Sequence, residues 1–390
     1  MQPEQRRRNP AFTLLPEEPA ARHKAPASAS LPAISRTGIN IYFPARPCQD
    51  YLNLLVQEML LKDKIFSSKG PVASLWLRGY PLRQLTTDAM TELVFRLCSH
   101  YNLQNNLGAE RGIELGPEHC DRNILALLKG LGFEVIRLMP DATLASADRS
   151  TDAVRRAMDV ANEFAGLRLQ WAVQLGADTD QAYLDKLLSL LMSSATEEIE
   201  LIPCPPALQS IDDALLCQKI TARAAQQLID QGFQRFGEHC FKLPPHPDLL
   251  LRDNRNLCYG PWGFYKRDIV NWLGLGLGAE GIWGDYLYHN SGNPDCYRHR
   301  ILNHQDPVAG WSCAPLADQQ SYRVMQELYC YHSLGLIADS IGETSRARLV
   351  ARGWLVPDGA QLRLTTAGVE NLASVFRSIL CKDNVLQRQW

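Results

Sequence analysis

The chain has 390 residues, of which 46% are hydrophobic and 21% charged, and its formal net charge at pH 7 is -2. This composition is that of an ordinary globular protein, and the length allows one large domain with a smaller one. A charge near zero gives no general attraction to nucleic acid, and no apolar run is long enough to cross a bilayer. We therefore expect no nucleic-acid partner and no membrane span. The cytoplasm is the expected compartment, because no apolar signal core follows the basic start.

The 11 cysteines are scattered along the chain, and no two of them have C-x-x-C spacing. Scattered cysteines in a large intracellular protein are expected to be free thiols rather than a disulfide framework. A metal or cluster site built from cysteines adjacent in sequence is therefore not predicted.

Residues 1–35 repeat Pro, Ala, Ser and Arg without periodicity, which predicts a disordered tail. From Thr37 onward, short β-rich runs alternate with runs of helical apolar spacing, separated by Gly and Pro. The predicted strands are 38–43, 72–77, 112–115, 133–138, 167–175 and 199–202. The predicted helices are 51–66, 87–101, 121–131, 151–165, 180–192 and 212–229.

This alternation predicts parallel strands joined by right-handed helical crossovers. Over residues 36–235 it favours an α/β fold of the partial (β/α)6 barrel type, with a doubly wound sheet as the alternative. In both folds the active face lies at the carboxyl ends of the strands.

The pattern changes after this region. Residues 236–310 are rich in Gly and aromatic side chains, and residues 311–390 return to helices. The last part reads as helix, hairpin and helix around the turn at Asp358-Gly359, which predicts a winged-helix-like α+β domain. It lacks a basic recognition helix, so a packing role is favoured over DNA binding.

Several segments, in this order and at this spacing, are similar to those of one known family. They are Ser74–Pro81 (S-L-W-L-R-G-Y-P), Ile113–Pro117 (I-E-L-G-P), Leu128–Phe133 (L-K-G-L-G-F), Arg255-Asn256 with Leu273–Ala279 (L-G-L-G-L-G-A), Tyr288 with Asn290, and Gly353–Gly368. Together they resemble the oxygen-independent coproporphyrinogen III oxidases and their heme-utilisation relatives in the radical S-adenosylmethionine (SAM) superfamily. The resemblance covers about residues 38–380. It implies a TIM-like partial barrel that residues 236–310 close over, with SAM and a [4Fe–4S] cluster as cofactors.

The chain departs from this family just after the first strand. The family carries C-x-x-x-C-x-x-C there, and those three thiolates hold a cluster whose fourth iron binds SAM. When Pro44 is matched to the family's proline, Arg46 takes the place of the first cysteine, and Cys48 stands alone. This degenerate motif predicts that neither the cluster nor SAM is bound.

The residues that correspond to the family's SAM pocket are also changed. Asn40 replaces a tyrosine, Gly79 is the remnant of a glycine triplet, and Gln170 replaces an aspartate. Glu114 matches the family's glutamate, with pairing to a lysine or arginine as its structural alternative. Arg149 matches the family's arginine.

A flat ligand with peripheral carboxylates needs aromatic faces for stacking and cations for the acids. The glycine-rich, aromatic segment 257–267 has this character, with an aromatic-packed loop as the alternative. His239 and Cys240 could ligate an iron, although a lone core histidine is the commoner case. The candidate tetrapyrrole-facing residues are His239, Cys240, Arg255, Tyr259, Trp262, Lys266, His289 and Asn290.

Two hypotheses follow. In the first, the chain has lost the radical centre and is a binding, chaperoning or regulatory protein for a heme or another tetrapyrrole. In the alternative, it is an active radical SAM enzyme acting on coproporphyrinogen or heme, with a cluster held by distant cysteines such as Cys48 with Cys240 or Cys258.

Overall fold

A computed structural model describes residues 36–46, 48–65, 71–101, 103, 109–140, 147–194, 196–203, 211–284, 286–311, 320–335, 341–359 and 361–380. The predicted tail, residues 1–35, lies outside the described residues.

The helices are given in chain order. They are α1 (Tyr51–Ile65), α2 (Pro81–Gln84), α3 (Thr87–His100), α4 (Arg122–Gly130), α5 (Ala147–Asn162), α6 (Gln181–Met192), α7 (Ile211–Asp230), α8 (Pro247–Asp253), α9 (Pro294–Leu302), α10 (Gln320–Tyr331), α11 (Glu343–Ala351), α12 (Thr366–Glu370) and α13 (Leu372–Leu380).

The strands follow the same convention. They are β1 (Arg36–Phe43), β2 (Val72–Gly79), β3 (Glu110–Leu115), β4 (Val135–Leu138), β5 (Arg168–Leu175), β6 (Glu198–Pro203), β7 (Gln234–Phe236), β8 (Cys240–Lys242), β9 (Leu257–Gly260), β10 (Gly263–Lys266), β11 (Ile269–Leu275), β12 (Glu280–Trp283), β13 (Tyr286–Asn290), β14 (Val308–Trp311), β15 (Leu355–Asp358) and β16 (Gln361–Leu364).

The predicted alternation of strands and helices up to α7 is confirmed, with small shifts at the element ends. Several helices begin where the sequence places a capping side chain. The side chains of Thr86, Asp121 and Asp180 accept hydrogen bonds from the first-turn amides of α3, α4 and α6. Such caps satisfy amides that have no partner within the helix.

The chain divides into two compact units. The first, called here the barrel unit, contains described residues 36–202 and 268–311. The second unit contains described residues 203–267 and 320–380. The predicted domain boundaries stay a prediction.

The barrel unit is built on one mixed sheet, in the order β14-β13-β12-β11-β1-β2-β3-β4-β5-β6. Strands β1 to β5 pair in parallel, and β11 adds to β1 in parallel. Strands β12, β13 and β14 continue from β11 as antiparallel neighbours. This is the open α/β arrangement that the sequence predicted.

Successive side chains of a strand point to opposite faces of the sheet. One face of β1 to β4 carries mostly apolar, buried side chains, among them Ile39, Ile41, Leu77, Ile113 and Ile136. The opposite face, called here the polar face, carries charged and amide side chains. The candidate functional site lies on this polar face.

The second unit consists of three antiparallel hairpins and the helices around them. The hairpins are β7–β8, β9–β10 and β15–β16. Helix α10 packs beside β9: Gln326 Oε1 accepts from the amide of Tyr259 at 2.8 Å, and the hydroxyl of Tyr331 donates to Leu257 O at 2.8 Å. The predicted sequence of helix, hairpin and helix is present in α11, β15–β16 and α12–α13.

None of the helices within the described residues is both long enough and apolar enough to cross a membrane.

Candidate functional site

The register of the parallel strands brings charged residues side by side on the polar face. Glu114 of β3 pairs with Arg137 of β4, which in turn pairs with Gln170 of β5. Because residues in register on neighbouring parallel strands point to the same side, these side chains form one row. The row lies near the carboxyl ends of the strands, where active sites of such folds are found.

Glu114 is the centre of this row. Its Oε1 accepts a hydrogen bond from Arg78 at 3.0 Å, and its Oε2 accepts from the amide of Gly79 at 2.6 Å. Arg137 lies 3.9 Å from the same carboxylate and forms an ion pair with Glu200 of β6. The carboxylate of Glu114 is therefore held by two arginines and by a backbone amide of β2.

Arg78 connects Glu114 of this row to Asn40 of β1. Its Nε donates to the side-chain oxygen of Asn40 at 3.0 Å, and its guanidinium lies 4.5 Å above the ring of Trp76. Burial lowers the pKa of Arg78 to about 10, with the Glu114 carboxylate opposing the shift. The polar network thus runs from Asn40 through Arg78, Glu114 and Arg137 to β6.

Gly79 has a geometric reason to be glycine. Its φ is +85°, and a Cβ at this position would collide with the carbonyl oxygen of Phe43. The close approach allows the amide of Tyr80 to donate to Phe43 O at 3.0 Å. This glycine therefore joins the carboxyl ends of β1 and β2.

The loop after β1 is held closed by one side chain from α2. The amide nitrogen of Gln84 donates to Pro44 O at 2.6 Å and to Arg46 O at 2.7 Å, and its oxygen accepts from the amide of Cys48 at 2.9 Å. Arg46 itself is exposed. The loop that carries three cysteines in the family is here bridged by a glutamine.

The thiol of Cys48 is half-buried. Burial raises its pKa, against the opposing charge of Arg298. Cys48 is also the only cysteine between Arg36 and Leu97. A [4Fe–4S] cluster of this kind needs three thiolates from the protein, so the residues of this loop do not fit one.

The other residues predicted for the SAM pocket are placed as follows. Asn40 is 3% exposed and lies in the polar network. Gln170 donates to Glu198 at 3.2 Å. Arg149 falls in the first turn of α5. A shallow surface depression adjoins Glu114 at the ends of β2 and β3, and Tyr80 and His119 also line it.

His289 and Asn290 lie in β13 of the barrel unit. Asn290 is fully buried, and its amide donates to Glu58 at 2.6 Å and to Gly276 O at 2.8 Å. Its oxygen accepts from Lys62 at 3.1 Å. Asn290 therefore belongs to a buried polar cluster with Glu58 and Lys62 of α1. His289 is partly exposed and lies beside Gly310.

The remaining predicted tetrapyrrole-facing residues lie in the second unit. Tyr259 is buried and stacks on Tyr329 with ring centroids 4.4 Å apart. Arg255 forms an ion pair with Glu327. Trp262 is partly exposed, and Lys266 is exposed at the end of β10.

His239 and Cys240 lie where β8 begins. The Cys240 thiol is buried, whereas the side chain of His239 is 26% exposed, so the two side chains differ in access to solvent. Burial lowers the pKa of His239 to about 4, with Arg235 adding to the shift. The imidazole is therefore neutral at neutral pH.

Sequence reasoning missed Arg78, Gln84 and Arg137, because partners more than 30 residues away decide their roles. It also missed Glu58 and Lys62. A signal for that pair was present: both fall among apolar residues of α1, four residues apart on one helical face.

No family model matches the chain. The oxygen-independent coproporphyrinogen III oxidase of Pseudomonas aeruginosa is 22% identical over 303 residues, which covers 73% of this chain and 66% of that protein, just under two thirds of its length. The solved structure of the coproporphyrinogen III oxidase of Escherichia coli, a radical SAM enzyme, matches with a TM-score of 0.74 at 17% identity. That match covers 88% of this chain and 90% of the other.

These matches confirm the resemblance that the motifs indicated, and the barrel unit has the TIM-like fold of radical SAM enzymes.

Proposed function

We propose that this chain, a relative of oxygen-independent coproporphyrinogen III oxidase within the radical SAM superfamily, works without a radical centre. Its function is to bind a heme or another tetrapyrrole as a carrier, chaperone or regulator.

The observation that carries this proposal is the loop after β1. It offers one thiol where the cluster needs three, and Gln84 takes up the carbonyls of Pro44 and Arg46 together with the amide of Cys48. Without a cluster, SAM has no iron to bind and no electron source for cleavage.

The polar face supports the same conclusion. Asn40, Arg78, Glu114 and Arg137 hold one another or Glu200, so their hydrogen-bonding groups are largely occupied by protein. Removing one partner of a buried ion pair leaves the other charge uncompensated and strongly destabilises the folded protein. Two buried nitrogens of the network, Nδ2 of Asn40 and Nε of Arg137, have no hydrogen-bond partner among the described residues. The ion pairs of Arg78, Glu114, Arg137 and Glu200 are the part of the network that supports a structural role.

The tetrapyrrole part of the proposal rests on the relatives. Both curated and solved relatives are coproporphyrinogen III oxidases by name. Loss of the radical centre removes the chemistry, but it does not by itself remove affinity for the ligand.

The radical centre is tested by anaerobic iron–sulfur reconstitution, with the Escherichia coli relative treated in parallel as the positive control. We expect iron well below four per chain and no 5′-deoxyadenosine from SAM. If the chain takes up about four irons, loses them on Cys48→Ser and forms deoxyadenosine, it is instead an active radical enzyme whose further ligands must be distant thiols such as Cys240 or Cys258.

Ligand binding is tested by absorption titration of the aerobically purified protein with heme and with coproporphyrin III. We expect a shifted Soret band that saturates at micromolar ligand. An unshifted band with both ligands would remove the tetrapyrrole function.

A further inference from the structure

The guanidinium of Arg78 is bound on three sides within the barrel unit. Its Nη1 donates to Glu114 Oε1 and its Nε donates to Asn40 Oδ1, each at 3.0 Å. On the third side, its Cζ lies 4.5 Å from the centroid of the Trp76 ring. A carboxylate, an amide oxygen and an indole face are groups with which proteins bind cationic ligands. Arg78 is therefore held in the way that a bound cation would be held.

These contacts are largely shielded from solvent. The side chains of Arg78 and Glu114 are only 14% and 12% exposed, and Trp76 and Asn40 are buried. Burial lowers the pKa of Arg78 to about 10, so the guanidinium keeps its charge at neutral pH. The charge beside Glu114 is thus a permanent feature of the folded chain.

The carboxylate of Glu114 is shared with two further groups. Its Oε2 accepts from the amide of Gly79 at 2.6 Å, and Nε of Arg137 lies 3.9 Å from its Oε1. A second cation brought to this carboxylate would lie close to two arginines. Like charges repel strongly where burial weakens the screening by solvent and salt.

The residues around Arg78 are those that the family resemblance assigns to the SAM pocket. Asn40, Gly79 and Glu114 correspond to pocket residues of the family, and Gly79 is the one glycine left of a triplet. Arg78 directly precedes this glycine. Glycines in a strand leave room for a ligand to approach the backbone, whereas an arginine side chain takes up that room.

We propose that Arg78 is a built-in occupant of the cosubstrate pocket, with its guanidinium in the place beside Glu114 that a cationic ligand would take. SAM has two positive groups, a sulfonium and an ammonium, and at this carboxylate both are repelled by Arg78 and Arg137. The chain's own side chains thus exclude SAM, independently of the cluster loop. The identity of the excluded ligand rests on the proposed function, in which the chain is a relative of radical SAM enzymes.

The first test removes the occupant and offers it back in solution. Arg78→Ala leaves a space beside Glu114, and guanidinium chloride is the probe. We expect about 20 mM guanidinium to raise the melting temperature of Arg78→Ala by about 3 °C relative to sodium chloride, as for a ligand at roughly twenty times its Kd. The unaltered protein should show no such rise. Arg96→Ala, which loses a half-exposed arginine of α3, is the matched control and should show none either.

The rescue must depend on charge and on Glu114. Urea, a neutral molecule of similar shape, should not stabilise Arg78→Ala at the same concentration. In the double variant with Glu114→Gln, guanidinium has no carboxylate to pair with, so the rise should vanish. No rise in Arg78→Ala, or an equal rise in the double variant, overturns the inference.

The second test measures SAM itself on protein purified aerobically without added iron. Labelled SAM is dialysed against the unaltered protein and against Arg78→Ala. We expect no retention by the unaltered protein at about 1 mM SAM and at least tenfold more by Arg78→Ala, because one repelling charge is removed. Equal retention by the two proteins overturns the exclusion of SAM by Arg78. If circular dichroism shows that Arg78→Ala is unfolded, Arg78→Gln, which removes the charge and keeps much of the bulk, takes its place.

The proposed function is decided by other measurements. Uptake of about four irons with formation of deoxyadenosine would refute it, whatever guanidinium does to Arg78→Ala. A failed rescue in a chain that takes up no cluster would overturn the role of Arg78 and leave the proposed function standing.

Discussion

At the scale of single residues, the barrel unit contains a buried acid and base four residues apart on α1. Glu58 and Lys62 are both fully buried. Glu58 accepts from the amide of Gly276 at 2.7 Å and from the hydroxyl of Tyr297 at 2.7 Å, while Lys62 lies 3.1 Å from Asp306. The cluster ties α1 to the loop after β11 and to α9. Several hydrogen bonds on one carboxylate are what a buried charge requires.

Glu58 gives the first prediction. Burial raises its pKa from 4.5 to about 7, although Lys62, Tyr297 and the Gly276 amide oppose the shift. The folded protein therefore holds this proton at pH values where the unfolded chain has released it. This contribution to the free energy of unfolding falls as pH rises from about 4.5 to about 7, by on the order of 3 kcal/mol.

The measurement is urea unfolding at pH 5 and pH 8. We expect the unfolding free energy of Glu58→Gln to decline less over this range than that of the unaltered protein, because glutamine does not titrate. Glu92→Gln, a half-exposed position on α3, is the control and should follow the unaltered protein. Parallel pH profiles for all three proteins would contradict the prediction.

At the scale of elements, the polar face is completed by tryptophans that lie over glycines. The indole of Trp272 on β11 covers Gly38 of β1, and the indole of Trp76 on β2 covers Gly112 of β3. Each glycine gives the ring of the neighbouring strand a flat surface to lie on. A glycine inside a strand is explained by such a close approach.

Gly112 and Gly130 form a matched pair for the second prediction. A Cβ at Gly112 would lie 2.6 Å from the Trp76 ring, whereas a Cβ at Gly130, at the end of α4, meets nothing within 4 Å. We expect Gly112→Ala to lower the unfolding free energy by about 2 kcal/mol through overpacking. Gly130→Ala should be neutral or slightly stabilising, because alanine favours the helix. Equal effects of the two substitutions in denaturant titrations would show that the ring moves aside.

At the scale of the whole molecule, the polar network is the feature that links most strands of the barrel unit. It reaches β1 through Asn40, β2 through Arg78, β3 through Glu114 and β4 through Arg137. Each member is held by another strand, so the network resists separation of the sheet. The network thus holds four neighbouring strands of the barrel unit together near their carboxyl ends.

Glu114 supplies the third prediction. Its side chain is 12% exposed and that of Arg78 is 14% exposed, so removing the carboxylate leaves a guanidinium almost buried without its partner. We expect Glu114→Gln to lower the unfolding free energy by about 3 kcal/mol. Glu118→Gln, whose ion pair with Arg83 is half-exposed, should change it by less than about 1 kcal/mol. A loss below 1 kcal/mol in Glu114→Gln would mean that Arg78 finds water or another acceptor.

The sequence by itself determined the order of strands and helices up to α7, because apolar periodicity, capping residues and glycines act over a few neighbouring positions. It also determined the relationship to coproporphyrinogen III oxidases, through Ile113–Pro117 and Leu273–Ala279. The missing thiols around Cys48 were visible in it as well. Each of these signals can be read from adjacent residues alone.

Only the tertiary structure decided how the side chains at the carboxyl ends of the first strands are paired. Strand register set Glu114 beside Arg78 and Arg137. Gln84 gave no sign in the sequence that it would bridge the loop at Cys48, 36 residues away. The physical reason is that a hydrogen bond or ion pair depends on distance in space, and residues far apart in sequence become neighbours only when the sheet is assembled.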